Sequence, residues 1–253
     1  MRIARRAALL LLGLPLLFAA CNSSDSCPGC KDIVASVPFA AGESHTYQLQ
    51  QNGADKGTFQ MTVFQDGANL VLKQLSSDSQ GNSDTSAVTV DPTTLKPISG
   101  TRDVIDKSQR TLLESAYAAI DKSKCATGMQ VTVTKSVFKP PSAAKPDSKR
   151  SVPACLPAFA YDNDTSLFVW RAIKFEKGYT VTYRTWLTNQ QADQIVTLTV
   201  SGQDKVPTPA GTFDAWYVTI GADQATQQAW FATTSDHRLL RYNNANVTFL
   251  LKQ

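Results

Sequence analysis

The chain has 253 residues, 42% of them hydrophobic and 18% charged, with a formal net charge of +4 and five cysteines. Three arginines and no acid lie in residues 1–20, so residues 21–253 carry only +1 and the basicity is mostly that of the leader. No folded segment contains a dense run of Lys and Arg, which excludes the sequence footprint of a nucleic-acid binder, while the length is enough to bury a sizeable core.

Residues 1–20 read as a lipoprotein signal peptide. Arg2, Arg5 and Arg6 precede an apolar run from Ala7 to Phe18 that is too short to span a bilayer permanently, and Ala19-Ala20-Cys21 completes a lipobox in which Phe18 replaces the usual Leu. This arrangement implies cleavage after Ala20 and acylation of Cys21; the simpler alternative is a secretory signal with a leftover cysteine. Each buried methylene contributes about 0.8 kcal/mol, so two or three acyl chains give a membrane anchor that hardly reverses. Asn22 follows the cysteine where Asp would retain a lipoprotein at the inner membrane. By resemblance to lipoproteins of two-membrane bacteria, this implies an outer-membrane protein facing the periplasm. No later apolar run reaches spanning length.

Residues 21–43 read as a lipidated tether carrying Cys27-Pro28-Gly29-Cys30, and residues 44–253 as a single β domain. The four remaining cysteines admit three disulfide connectivities, of which Cys27 with Cys30 and Cys125 with Cys155 is preferred. Closing the second loop stabilises by roughly 3–4 kcal/mol on the chain-entropy model. A thiol oxidoreductase is the sharper alternative, but Asp32, Pro38 and Gly42 leave no long helix to support a thiolate. A four-cysteine zinc site lacks a second close pair, and Lys31 stands where covalent haem attachment needs His.

Alternation then predicts strands over 46–51, 58–64 and 69–75, with Phe59, Met61 and Val63 on one face and Gln60 and Thr62 on the other. Asn52-Gly53 and Asp66-Gly67 supply the turns. Ser76 to Asp84 reads as a flexible polar loop, followed by strands over 87–90 and 95–104 on either side of a turn at Asp91-Pro92. Residues 108–120 fit either a helix, through Leu112, Ala116 and Ile120, or a strand. Residues 129–138 alternate as a strand, and the proline-rich stretch 139–157 reads as a structureless loop. Asp162-Asn163-Asp164-Thr165 looks like the capped start of a short helix over 167–173. Six strands follow, over 179–187, 193–203, 211–220, 226–233, 237–243 and 246–252, with a turn at Pro207 to Gly211. The fold class is mainly β: a curved antiparallel sheet, a spiral β-roll or half-barrel, with one short helix.

The string Val206-Pro207-Thr208-Pro209-Ala210-Gly211-Thr212-Phe213-Asp214-Ala215-Trp216 resembles the V-P-A-G-T-F-D-x-W/Y turn of an uncharacterised bacterial envelope family. The upstream Asp162 to Arg171 segment, Trp230-Phe231, Arg238 to Tyr242 and the turn Asp91 to Pro97 resemble its other landmarks. The likeness spans about residues 45–252, departs by the inserted Thr208-Pro209, and implies a curved sheet loosely similar to lipoprotein carriers. It implies no catalytic residues. Hairpin register alone accounts for the motif, with proline fixing φ and Gly211 permitting a tight turn.

Catalytic constellations are thin. His45 and His237 are too few for a three-histidine metal site, His237 reads as a solvated turn residue, and there is no G-x-S-x-G elbow. Ser142-Ala143-Ala144-Lys145 matches S-x-x-K by chance. Asp162, Asp164 and Ser166 mimic a calcium loop without its glycine or closing glutamate, and capping explains them better. No cofactor is expected. Trp170, Trp186, Trp216 and Trp230 are the candidate ligand-binding residues, able to line a concave apolar face or simply to fill the core. The expected function is therefore a non-catalytic, membrane-anchored envelope lipoprotein binding a lipid or other apolar ligand. The alternative is a structural or assembly-accessory lipoprotein acting through envelope protein partners.

Overall fold

The computed structural model describes residues 27–253 apart from 119–124, 126, 127, 158, 223 and 224, so the signal segment and Cys21 lie outside the described residues. Alternating burial builds the first strands: Phe59, Met61 and Val63 turn inward while Gln60, Thr62 and Phe64 do not. The first eight are β1 (Ser44–Gln51), β2 (Ala54–Asp66), β3 (Asn69–Asp78), β4 (Ser83–Val90), β5 (Pro97–Ile105), β6 (Arg110–Ala118), β7 (Met129–Phe138) and β8 (Ser148–Leu156). A short β9 (Ala160–Asp162) leads into α1 (Ser166–Val169), flanked by single 3-10 turns at Asn163–Thr165 and Trp170–Ala172. The chain then forms β10 (Thr180–Leu187), β11 (Ala192–Thr208), β12 (Gly211–Ala222), β13 (Ala225–Ala232), β14 (Leu239–Asn244) and β15 (Val247–Leu251).

All fifteen strands belong to one sheet in the order β8 to β1, then β15 down to β9. The terminal strands β1 and β15 pair at its middle, Tyr47 opposite Leu251, and β9–β10 is parallel while the other neighbours are antiparallel. Leu156 and Ala160, which close the β8 edge and open the β9 edge, are four residues apart. Laid flat, fourteen strand spacings would hold those edges roughly 65 Å apart, yet four peptide steps reach at most about 14 Å. The sheet therefore rolls into a nearly closed barrel.

The interior is filled rather than hollow. The helical segment supplies Leu167, Phe168, Val169, Trp170 and Ala172, and the strap before β1 adds Ile33 and Phe39. A smaller cluster of Leu113, Val131, Val133, Leu156, Ala160 and Trp186 packs beneath the seam. Arg171 is the largest fully buried side chain, 1% exposed. It donates to both Glu43 carboxylate oxygens at 2.5 and 3.1 Å, to the Asp236 carbonyl at 2.7 Å and to the His237 carbonyl at 3.1 Å. Its guanidinium also lies 4.9 Å from the Phe39 ring centroid. One side chain thus ties the strap, the helical plug and the β13–β14 turn.

Several local expectations are corrected. The two-way reading of residues 108–120, by contrast, resolves to strand over 110–118, where β5 and β7 satisfy the backbone groups on both sides. The polar loop shrinks to residues 79–82, since the hydroxyl-rich ends of β3 and β4 pair as far as Ser77 with Ser83. The proline-rich stretch is not a structureless loop over 139–157: residues 148–156 form β8, and Pro153 is tolerated because an edge strand has a ladder on one side only. The turn predicted from Pro207 tightens to Pro209-Ala210, because β11 continues to Thr208. Beyond Val200 that strand pairs with β12 alone, so Pro207 interrupts no second ladder. His237 is half-buried against Phe175, ring centroids 4.3 Å apart, rather than solvated.

The clasp sets an acid limit. Burial opposes the Glu43 charge, but hydrogen bonds from His45 and Arg171 prevail and hold its pKa at about 2. Stability contributed by ionised Glu43 is full above its unfolded pKa of about 4.3 and is lost as pH falls toward about 2. Arg171→Leu, which leaves Glu43 without its cation, should cost about 3–5 kcal/mol in urea unfolding at neutral pH. A Glu43→Gln protein should show a flatter decline in Tm on acidification; parallel wild-type and variant curves would remove the clasp from the account.

Candidate functional site

A cleft of about 200 Å³ opens between the helical plug and the inner faces of β2–β5, β14 and β15. One wall is aromatic: Phe59 stacks on Phe249 at 4.1 Å and Phe249 on Tyr242 at 5.5 Å between ring centroids, with Leu167 beside them. The facing wall is polar because strand alternation turns Gln74, Ser76, Asp84, Ser86 and Arg102 inward, opposite Asn163 and Asp164 of the first helical turn.

Arg102 organises that wall. Its Nε and Nη2 donate to the two Asp84 oxygens at 3.0 and 2.7 Å, and its Nη1 donates to Asp164 Oδ1 at 2.9 Å. Burial works against its charge, yet Asp84 and Asp164 more than compensate and push its pKa upward. Gln74 donates to the Asp164 carbonyl, which fixes the plug against β3. The hydroxyls of Ser76 and Ser86 and the side-chain amide of Asn163 make no hydrogen bond among the described residues, and Ser86 is only 6% exposed.

Behind the cleft, Asp162 caps the helical turn by accepting the Asp164 N–H at 2.8 Å, as its position in the sequence predicts. It also accepts from the Tyr117 hydroxyl and, at 3.4 Å, from Thr188 Oγ1. Burial raises the pKa of Asp162. Burial, then the Asp162 charge, raises that of Asp164 to about 7 against the pull of Arg102. Burial and mutual repulsion thus make it hard for both carboxyls of this pair to ionise together. A raised carboxyl in a cleft belongs equally to acid–base and to binding sites. Here no His or Cys lines the cleft, and neither Ser76 nor Ser86 is hydrogen-bonded to a base.

The four tryptophans do not gather around this cleft. Trp170 is buried and donates from Nε1 to the Tyr183 hydroxyl at 2.7 Å, while Trp216 packs half-buried at 6.2 Å from Phe175. Trp230 lies between Tyr217, centroids 5.0 Å apart, and the Arg241 guanidinium at 4.9 Å. Trp186 belongs to the separate cluster beneath the seam, and its Nε1 has no hydrogen-bond partner among the described residues. Cys27 bonds to Cys30 and Cys125 to Cys155, the preferred connectivity. No helix follows Cys30, which instead bridges to Thr182. Cys21 lies outside the described residues. Among the described residues no cluster of His, Cys, Asp or Glu could hold a metal ion, and no helix is long and apolar enough to cross a membrane.

Sequence reasoning found Asp162 and Asp164 only as a helix cap and missed Arg102, Asp84 and Gln74. The available signal was a long polar or charged residue on the inward parity of each of three consecutive strands.

Residues 46–248 match the family described as "Protein of unknown function (DUF3108)". The chain belongs to this family. As a DUF3108 protein it has its plug, clasp and cleft mostly within the matched span, the strap and Glu43 lying before it and Phe249 of the cleft wall just after it. No curated protein matches the chain. It is similar to an inferred exported protein of Bacteroides fragilis, whose crystal structure has a YmcC-like fold, at 9% identity over 87% of this chain and 98% of that one, with a TM-score of 0.31.

The raised Asp164 pKa fixes a sign. Its unfolded carboxyl titrates near about 3.9, so the folded state holds the extra proton between that pH and about 7 and loses relative stability as pH rises through this window. Asp164→Asn should weaken the fall in Tm between about pH 4 and pH 7. An unchanged slope would place the titration elsewhere, for example on Asp162.

Proposed function

We propose that the protein is a non-catalytic lipoprotein of the bacterial envelope, acylated at Cys21 and facing the periplasm from the outer membrane. In this reading its rolled sheet presents the Arg102 cleft to a small amphipathic ligand. The anchor rests on the leader sequence. The ligand reading rests on one observation: Ser86 is only 6% exposed, its hydroxyl has no hydrogen-bond partner among the described residues, and it lines a cavity whose opposite wall is a stack of aromatic rings. Buried polar groups are normally satisfied, so donors and acceptors left over at a cleft favour a ligand or water there.

The volume limits the ligand. At about 200 Å³ the cleft is smaller than the roughly 300–1,000 Å³ of sites that engulf drug-sized molecules. It suits a polar head with a short apolar face, not a whole lipid. The tryptophans, spent in the core, support no apolar channel. That filled core favours the second reading, an assembly-accessory lipoprotein acting through its outer surface on protein partners.

Native mass spectrometry of exported residues 22–253 separates the two. A reproducible co-purifying mass, lost in Ser86→Phe with Tm retained, supports the cleft; a clean apo mass moves the function to protein partners. Separately, Cys21→Ser should abolish incorporation of labelled palmitate, and retained label would remove the anchor.

A further inference from the structure

The β7–β8 hairpin concentrates charge that the sequence disperses. Lys135, Lys139, Lys145, Lys149 and Arg150 are all exposed, and Asp147 is the one acid between Met129 and Leu156. Strand register places Lys135 directly opposite Arg150, a like-charge pair that destabilises the hairpin unless something else neutralises it. Asp147 is occupied in accepting the Lys139 backbone N–H at 2.5 Å. Asp106, in the neighbouring β5–β6 turn, feels Lys139 but accepts from Ser108 and Gln109. Arg110 is paired with Asp103. None of the five hairpin cations forms an ion pair among the described residues.

Protection of a sheet edge explains part of this pattern. Lysine and proline on an edge strand discourage pairing with another sheet, which accounts for Lys149, Arg150 and Pro153 on β8. It does not account for Lys135 on the inner strand, or for Lys139 and Lys145 on either side of an uncharged tip, Pro140-Pro141-Ser142-Ala143-Ala144. An uncharged tip collared by cations suits a surface of anionic headgroups, where each Lys or Arg adds to attraction within a Debye length. Tether length points the same way. From Cys21 to the first described residue, Cys27, is six residues, which span at most about 20 Å, so a body anchored at Cys21 stays within reach of the bilayer.

We propose that this hairpin docks the folded domain onto an anionic phospholipid surface, acting as a second membrane contact beside the acyl anchor. It rests on the anchored reading for its geometry but on its own charges for its affinity. Docking would fix the orientation of the barrel, and with it the direction in which the Arg102 cleft faces.

The test uses the full acylated chain reconstituted with phosphatidylcholine vesicles, with or without about a third phosphatidylglycerol, the lipid that supplies the anionic surface. Flotation on phosphatidylcholine alone reports the anchor. Amine-reactive labelling read by mass spectrometry reports the hairpin: Lys135, Lys139, Lys145 and Lys149 should be labelled several-fold less on phosphatidylglycerol vesicles. Labelling should recover in high salt, while Lys205 on the β11–β12 hairpin stays unchanged. If the anchor fails, flotation that requires phosphatidylglycerol and is lost in the K139Q/K145Q/K149Q/R150Q variant still supports the hairpin. Equal labelling on both vesicles, or flotation on neither, overturns the proposal. Protection by an acidic peptide in detergent but not by vesicles also overturns it, reassigning the hairpin to a protein partner.

Discussion

The structure depends on one geometric constraint: a fifteen-stranded sheet whose two edges are joined by almost no chain. The meander from β1 to β8 and the return from β9 to β15 each satisfy their own ladders, and β1–β15 pairing joins them at the middle. The short step from Leu156 to Ala160 then forces the far edges together. A roll of this width would enclose a channel if nothing entered it. The chain fills that space at the moment of closure, because the residues after β9 turn directly into the helical plug. Two buried charges hold the ends of that plug. Asp162 takes hydrogen bonds from Tyr117 of the first half and Thr188 of the second, and Arg171 binds Glu43 ahead of β1 and the carbonyls between β13 and β14. The spacing from Asp162 to Arg171 is thus the length of the plug.

Much of this was legible because β alternation and turn chemistry are local. Asn52-Gly53 adopts positive φ at both positions between Gln51 and Ala54, the paired ends of β1 and β2, as a two-residue hairpin requires. The inward face of β2 follows from its residues, and Asp162 caps the turn that its type and place predict. The failures have a common cause. Polar residues at 76–84 and prolines at 148–156 both lose to partner strands, since unpaired backbone groups beside an open sheet edge outweigh weak local preference. Near-complete closure was not legible, because it follows from strand count together with the position of one short link.

The candidate site was less legible than the fold for a related reason. Tryptophan draws attention in a sequence, but large aromatic rings are also what a rolled sheet needs to fill its interior, and Trp170 is used that way here. The polar wall is assembled from one residue per strand, Gln74, Asp84 and Arg102, each unremarkable among its neighbours and brought together only by register. The hairpin cations behave alike: five charges spread over sixteen residues form no run, yet strand pairing places Lys135 against Arg150.

The Arg102 cluster also resists explanation by stability alone. Ion pairs removed from water recover little net free energy, and apolar residues of similar size at such positions are often as stable or more so. Asp164 makes the point sharply, because its carboxyl resists ionisation until near neutrality while still holding Arg102. The plug is already fixed by Arg171 at one end and by Asp162 at the other, so a third charged junction adds little to its placement. What the cluster does provide is a rigid, mixed donor and acceptor surface facing stacked rings, beside serine hydroxyls that the protein leaves unused. A wall of that kind costs stability while its polar atoms lack partners, and polar atoms occupying the cleft would recover that cost.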